Sequence, residues 1–336
     1  MSQAHGALAL QAGVLFIGRR SGRVRLAPFD LDGRRLGDGF TFGAEGDRAD
    51  AGASISGLAV DDDRRLWVAD PGASCLRIFT AFGRCLGVLC SSGNSLVEQC
   101  VDSAAEDDGG FSPPVAPAEL GCPVAVAVRG TDVEQEAIVA SAGRVRHALR
   151  TLPVAAEREG ARQPASLRPG GDPRGRFLEL TAVACRGDEI WACEAGAVPS
   201  PGLGGACGGG PAGRIQVFRR GDFHFSFGVG ADWPANAGGS GGRAKGLALL
   251  SDGRALISIG GEERSALCLV SGTGRFLKLI AAAGKQEGCV WEPSSLAVEE
   301  GTTERATRVA VMDMDADRVQ VFNLEGQCHG VFPELP

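Results

Sequence analysis

The chain has 336 residues, a formal net charge of −7, 44% hydrophobic residues and a mean hydropathy near zero. No run approaches the roughly 18 apolar residues of a membrane-spanning helix, and the acidic balance argues against a dedicated nucleic-acid binder, which needs a basic face for phosphate. The length leaves two domains or one large repeat fold, and 51 Gly with 17 Pro fit frequent turns. The opening MSQAHGALALQAGVLF has neither the basic stretch nor the cleavage site of a signal peptide. The expectation is therefore a cytoplasmic protein whose eleven cysteines are mainly reduced thiols. The skew of 31 Arg to 3 Lys, with 3 Asn and no Tyr, implies a GC-rich coding sequence, as in bacteria.

Read from the N-terminus, one unit recurs six times. Each copy opens on a short strand pattern: ALAL (7–10), GLAV (57–60), AVAV (125–128), AVAC (182–185), GLAL (246–249) and SLAV (295–298). Alternate residues of a strand share a face, so Ala9, Ala59, Ala127, Ala184, Ala248 and Ala297 give every copy one small face and one bulky face. Six strands crowding a common axis would require this. A second strand follows in each copy, as VLFIG, LWVAD, AIVAS, IWACE, LISIG and VAVMD, and then a third, as RVRLAPF, LRIF, RVRHAL, RIQVF, ALCLV and RVQVF. Turns at Gly33, Gly83, Gly221, Gly274 and Gly326 introduce a fourth strand in five copies, while the third copy passes through TLPVAA.

Four strands repeated six times predict an all-β fold, a six-bladed β-propeller with four antiparallel strands per blade. The expected domain is a single propeller over 6–332, with blades at 6–43, 55–90, 122–156, 177–228, 243–280 and 292–332 and inserts at 91–121, 157–176 and 195–213. Each blade reads contiguously from inner to outer strand, so the ring is expected to close by packing between the first and last blades. The stretches GLAVDDDRRLWVADPGASCLRIF (57–79), GRIQVF (213–218) and MDMDADRVQVF (312–322) resemble the NHL-repeat family over almost the whole chain. The family's Asn-His pair before the third strand is replaced by ASC and DAD. The resemblance implies a six-bladed propeller that is often a binding platform and sometimes an enzyme.

In an up-and-down blade, links between blades and links from strand two to strand three emerge on one face. All the long inserts fall there, and loops tolerate functional change better than scaffold does. Within 91–121, Glu98, Asp102, Glu106, Asp107, Asp108 and Glu119 occur with no Lys or Arg, and Ser95 with Glu98 forms a capping-box pattern ahead of a short helix. Residues 157–176 carry Arg158, Arg162, Arg168, Arg174 and Arg176 against three acids. These inserts read either as a bipolar docking surface or as two solvated loops that attract each other. The glycine-rich 199–214 is followed by a strand pattern rather than a helix, so it is a loop and not a phosphate cradle.

Catalytic patterns are scarce. The four histidines, His5, His147, His224 and His329, do not assemble a zinc set. The second strands end at Arg19, Asp70, Ser141, Glu194, Gly260 and Asp313, so acids stand in blades two, four and six. Such an acid closes the following turn, contacts a partner, or joins the others around one divalent ion, Ca²⁺ by its preference for oxygen ligands. The residues just before each first strand, Gly6, Ser56, Val124, Thr181, Lys245 and Ser294, should ring the channel mouth, and no Ser-His-Asp arrangement can be built from them. The expectation is a monomeric, cofactor-free, non-catalytic binding platform for a protein partner, without membrane or nucleic-acid binding. Its binding-face candidates are Arg19, Asp70, Glu194, Asp313, Lys245, Arg158, Arg162 and Arg168. The alternative is a metal-dependent hydrolase of lactones or related esters, with Asp70, Glu194 and Asp313 holding the ion.

Overall fold

Among the described residues, alternating apolar patterns punctuated by glycine turns become 24 strands, β1 to β24. The computed structural model describes residues 6–21, 23–42, 53–90, 120–130, 135–142, 147–153, 165–170, 177–195, 213–230, 233–234, 236–237, 243–261 and 264–332. Blade one holds β1 (Gly6–Gln11), β2 (Val14–Ser21), β3 (Arg23–Phe29) and β4 (Phe40–Phe42); blade two holds β5 (Gly57–Val60), β6 (Leu66–Asp70), β7 (Cys75–Phe79) and β8 (Cys85–Cys90). Blade three holds β9 (Cys122–Arg129), β10 (Glu136–Ala142), β11 (Ala148–Pro153) and β12 (Ala165–Leu167). Blade four holds β13 (Glu179–Arg186), β14 (Glu189–Ala195), β15 (Gly213–Arg219) and β16 (Asp222–Val229). Blade five holds β17 (Arg243–Leu249), β18 (Ala255–Gly260), β19 (Ala266–Val270) and β20 (Phe276–Ala281). Blade six holds β21 (Pro293–Glu299), β22 (Arg308–Asp313), β23 (Arg318–Phe322) and β24 (Cys328–Phe332).

Each blade is one antiparallel sheet of four consecutive strands. The inner strands touch in a closed circuit: β1 against β5, β5 against β9, β9 against β13, β13 against β17, β17 against β21, and β21 back against β1. The chain is a six-bladed β-propeller. Small residues sit where neighbouring inner strands approach. A Cβ on Gly57 would lie 2.8 Å from the Cα of Ala125 in the next blade, and one on Gly246 would lie 3.0 Å from the Ser294 carbonyl oxygen. Backbone cannot rotate away from such a clash, so Gly57→Val is expected to destabilise by about 1–3 kcal/mol, read from urea unfolding. The bulky faces fill the spaces between blades, and Trp67 and Trp191 on β6 and β14 are essentially fully buried.

Among the described residues no strand is shared across the ring junction. Phe29 of blade one stacks on Phe332 of blade six at 6.1 Å between ring centroids, the Leu8 amide donates to Ser295 Oγ at 3.0 Å, and Leu8, Leu15 and Ile17 share a core cluster with Met312, Val319 and Val321. Five turn glycines, at 33, 83, 221, 274 and 326, hold φ between 83° and 92°, the left-handed region that a side chain would strain. Blade three departs from the expected strands. Its third strand, Ala148–Pro153, takes in the TLP of the TLPVAA passage expected to stand in for the fourth strand and sets Leu149 and Leu152 opposite Ala140 and Ala137, and its fourth strand is Ala165–Leu167, inside the stretch expected to be an insert. The proposed helix near Ser95 lies outside the described residues, as does the glycine-rich stretch 199–214 except for Gly213 and Arg214, which open β15. Among the described residues no helix is long and apolar enough to cross a membrane.

Candidate functional site

The two faces of the disc differ. On the face of the strand one–two turns, side chains tether blade to blade: Gln11 Nε2 donates to the Asp61 carbonyl at 2.9 Å, Arg65 Nη2 to Gln135 Oε1 at 2.8 Å, and Arg129 Nη1 to the Gly187 carbonyl at 2.9 Å. Arg254 likewise crosses to Glu304.

The opposite face carries the channel mouth. Four inner strands begin with a β-bulge, and the residue each bulge leaves out of the ladder is Val124, Thr181, Lys245 or Ser294. Bulges re-aim a side chain where a strand meets a functional rim. These four residues and Ser56 are half-exposed, whereas Gly6 is buried. Thr181 Oγ1 donates to the Ala244 carbonyl at 3.1 Å, across the blade four–five boundary, and the Ser56 hydroxyl oxygen is buried without a hydrogen-bond partner. Lys245 pairs with Glu292 of the segment leading into blade six. Gly260 makes room for that carboxylate, because a Cβ there would sit 2.8 Å from Glu292 Oε1. Burial pulls the Lys245 ammonium below its ordinary pKa and the Arg243 cation adds to this, against the pull of Asp315 and Glu179. Arg243 pairs with Glu179, and Arg19 of blade one with Asp317 of blade six at 2.5 Å.

Asp70, Glu194 and Asp313 lie fully buried at 0% exposure, each in its own blade. Asp70 Oδ1 accepts from the Ser54 amide at 2.8 Å and from the Ala73 amide at 3.0 Å, and Arg77 Nε donates to its Oδ2 at 3.0 Å. Glu194 takes both arms of Arg214 at 3.0 Å each, Gln216 Nε2, and the Leu178 amide at 2.7 Å. Asp313 accepts the Glu292 amide at 2.7 Å, the Trp291 amide at 3.1 Å and Arg318 Nη2 at 3.2 Å. Each acid thus latches the segment before its blade's inner strand to the start of the third strand. Turn closure, one of the expected roles, is seen at Asp70, which accepts the Ala73 amide; the segment after Glu194 lies outside the described residues. Arginine partners went unnamed in the sequence reading, although the cross-strand register sets Glu194 opposite Arg214 and Asp313 opposite Arg318. In blade two Cys75 stands opposite Asp70, and Arg77 reaches back from two residues along.

The structure does not bring the three acids together. Among the described residues no group of three or more His, Cys, Asp or Glu is placed to share one ion. Arg168 is exposed just past β12, and Arg158 and Arg162 lie outside the described residues. His224 and His329 are exposed on the outer strands. Burial pushes the Cys185, Cys193 and Cys268 thiols up to about 12, which leaves them protonated and unreactive.

His147, ahead of β11, has a buried Nδ1 without a hydrogen-bond partner, and burial lowers its pKa against the attraction of Glu179 and Glu194. The unfolded chain therefore takes up this proton first on acidification. Stability should fall as pH drops from about 6.5, the ordinary imidazole value, through the depressed native value. His147→Gln should flatten this part of the stability–pH curve measured by urea unfolding.

No protein-family model matches the chain, and no curated protein sequence matches it significantly. Solved structures do share its fold. Hydrazine synthase of Kuenenia stuttgartiensis superposes with a TM-score of 0.54 at 10% identity, over 96% of this chain and 76% of that one. A catalytically inactive virginiamycin B lyase of Staphylococcus aureus, crystallised with quinupristin, gives 0.52 at 9% identity over 99% and 86%. A Bacteroides caccae protein of unknown function gives 0.52 at 10% identity over 91% and 89%. At these identities the likeness is one of fold alone.

Proposed function

We propose that this protein is an NHL-like propeller acting as a non-catalytic binding platform, engaging a protein partner with the insert-bearing face around the channel mouth. The observation that carries this reading is the fate of Asp70, Glu194 and Asp313. Their oxygens are taken up by buried arginines and backbone amides in three separate blades, so moving them to one ion would dismantle three latches. The mouth itself offers hydroxyls and paired charges, the surface of a recognition site.

The test is metal content of the purified protein by plasma mass spectrometry, with unfolding midpoints in Ca²⁺ and in chelator and turnover of a lactone panel. Substoichiometric metal, equal midpoints and no turnover are expected. A tightly held ion with lactone turnover would establish the hydrolase instead. Replacing 91–119 by a short turn and Arg158, Arg162 and Arg168 by Ser, which leaves Leu120 and β12 in place, should preserve the unfolding midpoint and abolish cross-linking to the partner; cross-linking that survives would remove the platform assignment from this face.

A further inference from the structure

The mouth holds one group that recognition of a protein surface does not require. In a chain with 31 Arg and 3 Lys, arginine serves several cation positions around the mouth, Arg19, Arg243 and, in the latch beside it, Arg318, while Lys285 lies over the Trp291 ring. The bulge of β17 nevertheless presents a lysine. Arginine cannot lose its proton, whereas a half-buried lysine can. Lys245 is only 31% exposed, its carboxylate partner Glu292 is 20% exposed, and the hydroxyl-bearing bulge residues Thr181 and Ser294 occupy the corresponding places in the adjacent blades. Glu292 is held by its own backbone, since its amide donates to Asp313 at 2.7 Å. Gly260 leaves the carboxylate its space. A desolvated amine beside a second cation and within reach of a carboxylate has the arrangement of a nucleophilic lysine.

We propose that Lys245, with Glu292 as its proton acceptor and donor, captures a small aldehyde or ketone at the channel mouth as a reversible imine. Glu292 takes a proton from the ammonium, and the freed amine attacks the carbonyl carbon to give a carbinolamine. Its hydroxyl leaves as water with a proton returned through Glu292, and the C=N bond forms. The balance is one ammonium and one carbonyl compound giving one protonated imine and one water. No oxidant or reductant takes part, and the protonated imine keeps its ion pair with Glu292. Burial and the nearby Arg243 cation favour the neutral amine that the first step needs, against Asp315, Glu179 and the Glu292 ion pair, which favour the ammonium.

The probes are glyoxylate and acetaldehyde, each incubated with the full chain, trapped by sodium cyanoborohydride and mapped by peptide mass spectrometry. Lys278 and Lys285 are the internal references. Lys245 is expected to label at least about tenfold faster than either, because positioned proton transfer contributes ~10²–10⁴-fold. Glu292→Gln should remove that advantage, and Lys245→Arg should abolish the adduct while keeping the charge. Gly260→Ala displaces only the flexible end of Glu292, so it should slow labelling while the unfolding midpoint holds. Equal labelling of the three lysines, or an advantage that persists in Glu292→Gln, would overturn the proposal. The readout is independent of metal content and of partner cross-linking.

Discussion

Glu194→Ala is expected to destabilise the protein by roughly 3–5 kcal/mol, the range for breaking a buried ion pair from one side. The loss would leave Arg214, a residue only 7% exposed, without its carboxylate, and would free Gln216 Nε2 and the Leu178 amide together. Urea unfolding followed by tryptophan fluorescence gives the number directly, since Trp191 lies on the same strand as Glu194. Glu194→Leu combined with Arg214→Leu should recover much of the loss, because replacing both partners removes the uncompensated charge. If the double variant is as unstable as Glu194→Ala, the latch acts through the Leu178 and Gln216 bonds rather than through charge.

The repeat of small and bulky residues made the ring legible. A period of two with Ala at every inner strand has few solutions other than strands meeting at an axis, and the contact of Gly57 with Ala125 is that crowding. Of the six residues expected at the mouth just before each inner strand, five lie inside those strands, and four of them, Val124, Thr181, Lys245 and Ser294, are the bulged residues. What could not be read was pairing. Asp70, Glu194 and Asp313 are visible as acids at strand ends, but whether they converge or turn inward depends on partners from other strands. The arginines of the third strand carried the missing signal, since an acid late in one strand and an arginine early in the next meet across the ladder. Blade three misled for a related reason: TLPVAA was read as the way into its fourth strand, yet Thr151, Leu152 and Pro153 belong to the third strand, and Ala165–Leu167, further along the chain, is the strand that pairs with it.

A second large effect is expected at the junction of blades one and six. Phe332→Ala removes a side chain that is 4% exposed, stacks on Phe29 and lies where a Cβ on Gly33 would meet its ring at 2.7 Å. Phe-to-Ala substitutions of this kind cost about 3–5 kcal/mol. With no strand among the described residues bridging the junction, the deficit should stay local. Native-state hydrogen exchange should quicken first in β1 to β4 and β21 to β24, leaving blades three and four protected. Uniform acceleration around the ring would mean that the junction is no weaker than any other blade boundary.

Blades that are contiguous in sequence also bear on how the chain reaches its native state. Every ladder joins strands that follow one another, so each four-stranded unit can form from nearby segments with little loop-closure entropy. Only the final docking has to span most of the polypeptide, as the bond between Leu8 and Ser295, 287 positions apart, makes plain. Low contact order within units and one very long-range step between them favour assembly outward from the ribosome, blade upon blade. The first blade's inner strand would then wait with one flank bare until the sixth arrives, and that interval is when the chain is most exposed to pairing with a neighbour.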